Sequence, residues 1–219
     1  MTATAKNDVT GVRRKYNYGP SGMLETSDEA CTRMSANFQR KFERSVPSLK
    51  SHDLMTRYHP EAVILIDCRT QAEQNVSMIW GAIPLHATTI EKLGSDKPIV
   101  TYCTMGFRSG LEAERLRDVL GADREIFNLD GILAYTHALK QRPDAPPLMD
   151  PSTRKVTKEV HTFSRQWDCA ADGYRSKQFS VVIFMLRMGH IVGHTVVRKV
   201  QHAGHQLRCG RRKSSKFAS

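Results

Sequence analysis

Thr101-Tyr102-Cys103-Thr104-Met105-Gly106-Phe107-Arg108-Ser109-Gly110 joins two segments of different periodicity. Before it, Lys97-Pro98-Ile99-Val100 opens a short apolar run bounded by Pro98, the pattern of a buried strand. After it, Leu111 to Gly121 reads as a helix, with Ala113, Leu116 and Leu120 on one face and charges on the other. Gly121 stands where a helix C-terminus favours glycine. A cysteine is therefore expected at the carboxyl end of a strand, with a tight loop leading from it into a helix N-terminus. Backbone N–H groups there have no helical partner, and the helix dipole adds positive potential. Such a place stabilises a thiolate and attracts an anion. Arg108 adds a fixed positive charge at the far end of the loop. A lone cysteine beside a strand is more often a small buried hydrophobe than a nucleophile, so the surrounding chain has to decide.

Upstream, Val63-Ile64-Leu65-Ile66-Asp67 is a continuous apolar run without alternation, as expected of a parallel strand covered on both faces. Cys68 to Gln74 turns into a short helix, and Ser51 to Tyr58 reads as another, with Ser51 as its N-cap. Trp80 to Leu85 supplies a turn and a short strand, and Thr88 to Leu93 a weak helix. Downstream, Glu125 to Leu129 is a strand, and Gly131 to Lys140 a helix ended before Pro143. Strands alternating with helices predict an α/β domain with a mainly parallel central sheet and helices on both faces. Ligands of such sheets bind at the carboxyl ends of the strands, where Cys103 is placed.

Composition narrows the function classes. The chain of 219 residues carries a net charge of +11, but from Ser180 onward there are eight Lys or Arg and no acid. The first 179 residues hold 25 basic and 22 acidic groups, so the basic character belongs to a tail. A nucleic-acid-binding domain is not expected, beyond weak contact through that tail. The longest apolar stretch, Ser180 to Val197, is interrupted by Arg187, His190 and His194, so no membrane span is expected. Five cysteines without a repeating spacing argue against a secreted disulfide framework and for a reducing, cytoplasmic setting.

Three blocks carry a resemblance. Leu65-Ile66-Asp67-Cys68-Arg69, then Glu73, then Gly81-Ala82-Ile83-Pro84 resembles the opening signature of rhodanese-like domains. Val100 to Ser109 is similar to the active-site loop of that family, and Phe127-Asn128-Leu129-Asp130-Gly131-Ile132-Leu133-Ala134-Tyr135 to its closing signature. The match spans residues 48 to 141, under half of the chain. It implies a thiosulfate sulfurtransferase-like enzyme. Cys103 would be the nucleophile, carrying a persulfide between a small-molecule sulfur donor and a thiol or cyanide acceptor, with no cofactor and no metal. Thr104, Met105, Gly106 and Phe107 would curl their N–H groups towards the sulfur and cradle the anion. Gly106 suits close backbone approach or a positive φ. Arg108 would either bind the anionic donor or lock the loop by bonding inward. Asp67 and Arg69 read as a structural pair near the site, Glu73 as a helix surface residue, and Cys68 as a partly buried bystander.

Two departures stand out: Trp80 occupies a position where the family more often has proline, and Thr104 and Met105 replace the basic residues common in dedicated thiosulfate enzymes. Attraction for thiosulfate should be weaker accordingly. Phosphatases and arsenate reductases related to this fold have a longer cysteine-to-arginine loop. The four residues between Cys103 and Arg108 suit one sulfur better than a tetrahedral phosphate. A non-catalytic or redox-sensing module that binds a protein partner is the alternative on the same fold.

The flanks complete the expected organisation. Residues 1–47 read as a partly disordered extension with a helix from Asp28 to Arg44 carrying Met34, Phe38 and Phe42 as one stripe. Arg13-Arg14-Lys15 in this leader leaves organellar import as a second reading of its first 30 residues. Residues 48–141 form the domain, and residues 142–179 an extension packing on it, with a strand or hairpin between Thr153 and Tyr174. Residues 180–219 read as a disordered basic tail, in which His190, His194, His202, His205 and Cys209 offer only a weak zinc pattern.

Overall fold

Short, continuous runs of buried and mostly apolar residues form the strands of the central sheet. A computed structural model describes residues 16–18, 24–89, 93–163 and 167–178. Strands β1 (Tyr16–Tyr18) and β2 (Leu24–Thr26) pair antiparallel and lead into α1 (Ser27–Gln39). Then come β3 (Ser48–Leu49), α2 (Ser51–Arg57), β4 (Ile64–Asp67), α3 (Gln71–Gln74), β5 (Met78–Ile79) and β6 (Ile83–Pro84). Next are β7 (Ile99–Tyr102), α4 (Phe107–Leu120), β8 (Ile126–Leu129) and α5 (Ile132–Gln141). The described chain ends with β9 (Leu148–Asp150), β10 (Lys155–Val156), β11 (Glu159–His161) and β12 (Arg175–Lys177).

The central sheet has the order β3-β8-β7-β4-β6, and every pairing in it is parallel. Successive strand residues face opposite sides. Ile64, Ile66, Ile99 and Ile126 enter one buried cluster with Ala113 and Leu116 of α4. Leu65, Val100, Tyr102 and Leu129 enter a second, with Ala30 and Cys31 of α1 and Ile132, Leu133 and Tyr135 of α5. Helices therefore cover both faces, as expected of the continuous apolar runs.

Several local expectations need correction. Helix α4 begins at Phe107, not Leu111, because Gly106 adopts φ +89° and turns the chain directly into the helix. Arg108 and Ser109 thus belong to the first helical turn. Ser51 is not the N-cap of α2 but its first residue. The capping acceptor is borrowed from elsewhere: the Asp130 carboxylate accepts the Ser51 N–H at 3.1 Å and also its hydroxyl. Helix α1 stops at Gln39, and Phe42 reaches the core from the turn that follows. Of the strand or hairpin expected between Thr153 and Tyr174, the strands β10 and β11 form, and among the described residues they do not pair with each other as a hairpin. β10 pairs antiparallel with β9, and β11 pairs in parallel with β12. Leu148, Val160, Cys169, Ala170, Ala171 and Tyr174 share the buried cluster that holds Leu133 and Tyr135. The weak helix expected at Thr88 to Leu93 lies partly, and the basic tail with its zinc pattern wholly, outside the described residues. Among the described residues, no helix is long and apolar enough to cross a membrane.

Candidate active site

Cys103 follows the last residue of β7, and the loop Cys103–Gly106 delivers the chain into α4. Two glycines make this path possible. Gly106, at φ +89°, would bring an added Cβ within 3.3 Å of the Leu129 carbonyl oxygen. Gly131, at φ +107°, lies so close that a Cβ would sit 2.6 Å from the Thr104 carbonyl carbon and 2.7 Å from Met105 Cα. The closing segment also supplies donors: the Ile132 N–H donates to the Cys103 carbonyl at 2.9 Å and the Leu133 N–H to the Thr104 carbonyl at 3.4 Å. The loop is thus held by the start of α5 as much as by its own turn.

The sulfur is buried, with Cys103 only 2% exposed. The Gly106 N–H donates to Sγ at 3.2 Å, and the Ser109 hydroxyl lies 3.5 Å from it. Burial pushes the thiol up. The Arg108 guanidinium, the Ser109 hydroxyl and N–H and the Met105 N–H outweigh burial, and the thiol sits below its ordinary value. The one proton of the Ser109 hydroxyl is shared between Sγ and Asn128 Oδ1, 2.7 Å away, and Asn128 Nδ2 donates to the Gly106 carbonyl at 2.9 Å. Gln39 Nε2 in turn donates to the Asn128 carbonyl at 2.9 Å. A chain of buried amides therefore ties the loop to α1 and β8.

Arg108 makes the hydrogen bonds of an inward lock. Its guanidinium donates to both Glu73 carboxylate oxygens at 2.6 and 2.8 Å and to Thr104 Oγ1 at 3.0 Å. Glu73, expected on the helix surface, is 2% exposed. Thr70-x-x-Glu73 is a capping box, so the carboxylate folds back over the start of α3 and accepts the Thr70 N–H and hydroxyl at 2.9 and 2.8 Å. Burial raises its pKa, but the charge and hydrogen bonds of Arg108, the His161 imidazole and Arg69 hold it well below the usual carboxylate range. The spacing of the box was the signal in the sequence that could have placed Glu73 inward.

The structure brings Cys103, Thr104, Met105, Gly106, Phe107 and Arg108 into one continuous turn, with side chains in separate places. Met105 is 1% exposed and belongs to the apolar core. Thr104 bonds to Arg108 and Glu73, and Phe107 packs between Phe38 and Phe42 at ring separations of 5.7 and 5.8 Å. What these residues can offer a ligand is mainly backbone N–H. Asp67 and Arg69 form a fully buried ion pair at 2.6 Å, which also takes the Tyr102 hydroxyl at 2.7 Å and the Ser77 carbonyl at 2.5 Å. Cys68 is half-buried, with its thiol pushed up by burial and by Glu112. Sequence reasoning missed Ser109, Asn128 and His161. Among the described residues, no group of His, Cys, Asp and Glu could hold a metal ion.

Residues 51–135 match the family model of the rhodanese-like domain. No curated protein matches the chain. Solved structures similar to it include a rhodanese-related protein of Thermoplasma volcanium, 20% identical over 48% of this chain and 98% of that one, with a TM-score of 0.37. The rhodanese-like domain of an Anabaena protein is 18% identical over 61% of this chain and 93% of its own, with a TM-score of 0.35. A Rhodopseudomonas palustris protein of unknown function, described as a possible tyrosine phosphatase, is 20% identical over 51% of this chain and 92% of that one, at a TM-score of 0.38.

Proposed function

Because residues 51–135 match the family model of the rhodanese-like domain, we propose that the protein is a sulfurtransferase working through a Cys103 persulfide. The observation that carries the reading is the surroundings of Sγ: a buried thiol held below its ordinary value by Arg108, the Ser109 hydroxyl and backbone N–H groups. In the first half-reaction, the Cys103 thiolate attacks the outer sulfur of the donor. An S–S bond forms to Cys103 as the donor's bond to that sulfur breaks, and thiosulfate would leave as sulfite. In the second, an acceptor thiolate or cyanide takes the outer sulfur and regenerates the Cys103 thiolate. The N–H of Gly106, already 3.2 Å from Sγ, is placed to stabilise anionic sulfur in both steps.

Arg108 acts here as a clamp rather than a direct ligand, since three of its N–H groups donate to Glu73 and Thr104. Asp67 and Arg69 secure the carboxyl end of β4. No cofactor enters the scheme, and the partners are a small sulfur donor and a thiol acceptor in a reducing, cytoplasmic setting. The test is thiocyanate formation from cyanide with thiosulfate or polysulfide as donor, in the wild type and in Cys103→Ser. Turnover with either donor in the wild type alone supports the reading. Equal background rates in both proteins with every donor would exclude it.

A further inference from the structure

The family match ends at residue 135, yet two side chains from well beyond it, the buried His161 and the half-buried Phe163, converge on the Glu73–Arg108 pair. His161 Nδ1 lies 3.4 Å from Glu73 Oε1, with side-chain exposures of 2% and 3%. The Phe163 ring covers the guanidinium, its centroid 4.7 Å from Arg108 Cζ. These residues are two apart on an extended stretch, so both can point to one side. Their backbone is anchored independently: β11 pairs with β12, the Thr162 N–H donates to the Lys177 carbonyl at 2.9 Å, and Val160 is buried in the core. Phe163 in turn packs edge-on against Trp167 at 5.2 Å, and Trp167 against Phe38 at 5.5 Å.

We propose that His161 and Phe163 are positioning residues that hold the Glu73–Arg108 pair against the cysteine loop, so the segment after the matched domain is part of the site. The inference rests on Cys103 being the reactive thiol. Glu73 and Arg108 meet the loop from two different elements, α3 and α4; hydrogen bonds to Glu73 and Thr104 hold the guanidinium by its N–H groups, and the Phe163 ring covers its face. An aromatic ring on that face fixes it by cation–π attraction, and the imidazole shares the carboxylate with it. The charged and titratable groups around the arrangement are few. Arg108 acts on Cys103, Cys103 on Cys68, Arg108, His161 and Arg69 on Glu73, and Glu73, Cys103 and Arg69 on Arg108. A guanidinium that swings away from this cluster takes its stabilisation of the thiolate with it.

The experiment is site-resolved alkylation of Cys103 by iodoacetamide over a pH series, read by peptide mass spectrometry on the full chain. Phe163→Met and His161→Phe remove the ring face and the imidazole while keeping volume. Phe163→Tyr and His161→Gln restore a ring and a polar donor. The removal variants should move the alkylation midpoint to higher pH and slow neutral-pH alkylation about threefold to tenfold, with the conservative variants near wild type. Folded removal variants that alkylate like wild type would overturn the proposal, as would conservative variants damaged to the same degree. Should one removal variant not fold, the other decides. Sulfur loading from polysulfide is measured on the same proteins. A shifted alkylation profile in a chain that takes up no sulfur would refute the transferase reading and still support the positioning role.

Discussion

Asp130 illustrates how one carboxylate is committed to architecture near the cysteine loop. It is buried at the junction between β8 and α5 and accepts the Ser51 N–H and hydroxyl at the start of α2. Burial raises its pKa from the ordinary 3.8 to about 6, against the opposing hydrogen bonds from Ser51. A folded-state pKa above the unfolded one means that folding takes up a proton between those values. This contribution to stability is full below pH 3.8 and is lost as pH rises through about 6. Denaturant titrations should show the wild type losing about 1 kcal/mol per pH unit relative to Asp130→Asn over that window, and no further loss above it. A constant difference would mean that Asp130 does not titrate there. Residue identities in the loop were legible from sequence because chemistry and spacing coincide at Cys103, Gly106 and Arg108. The partners of Arg108 were not. Glu73 comes from a different element and Phe163 from beyond the matched domain, so only the folded chain brings them together.

At the level of elements, strands β4, β7 and β8 and helix α5 could be read within a residue or two, because apolar runs buried on both sides leave little ambiguity. The start of α4 could not. A glycine at positive φ lets a helix begin directly after the cysteine turn, and no periodicity announces that conformation. The two-residue strands β3 and β5 were equally hidden, since such short segments carry no pattern of their own. The packing of α5 onto the loop makes a testable contrast between two positive-φ glycines. Gly121→Ala meets nothing within 4 Å and should cost only the backbone strain, about 1–2 kcal/mol. Gly131→Ala would push into the Thr104 and Met105 backbone and should cost about 3 kcal/mol or more while slowing Cys103 alkylation. Equal melting temperatures for the two variants would contradict the close approach.

At the scale of the described chain, α1 and the segment from Ala145 to Tyr174 contribute buried side chains to the core of the matched domain. Gly110 of α4 lies against the Phe42 ring, where an added Cβ would come within 2.5 Å of Cε2. Gly110→Ala should destabilise the protein by about 1–3 kcal/mol, and the double variant with Phe42→Leu should cost less than the sum of the two. Strict additivity would show that the segment after α1 does not press on the domain. The fold class was legible as a whole because alternating strands and helices leave one architecture. The parallel pairing of β11 with β12 was not, since it joins segments separated by a turn-rich stretch. The central claim rests on a single sulfur atom, and intact-mass measurement tests it most directly. Wild type and Cys103→Ser are treated with thiosulfate, then with polysulfide, and finally with cyanide. A gain of about 32 Da on the wild type alone, removed by cyanide as thiocyanate, is the expected result. No gain with any donor, or the same gain on Cys103→Ser, would contradict a Cys103 persulfide.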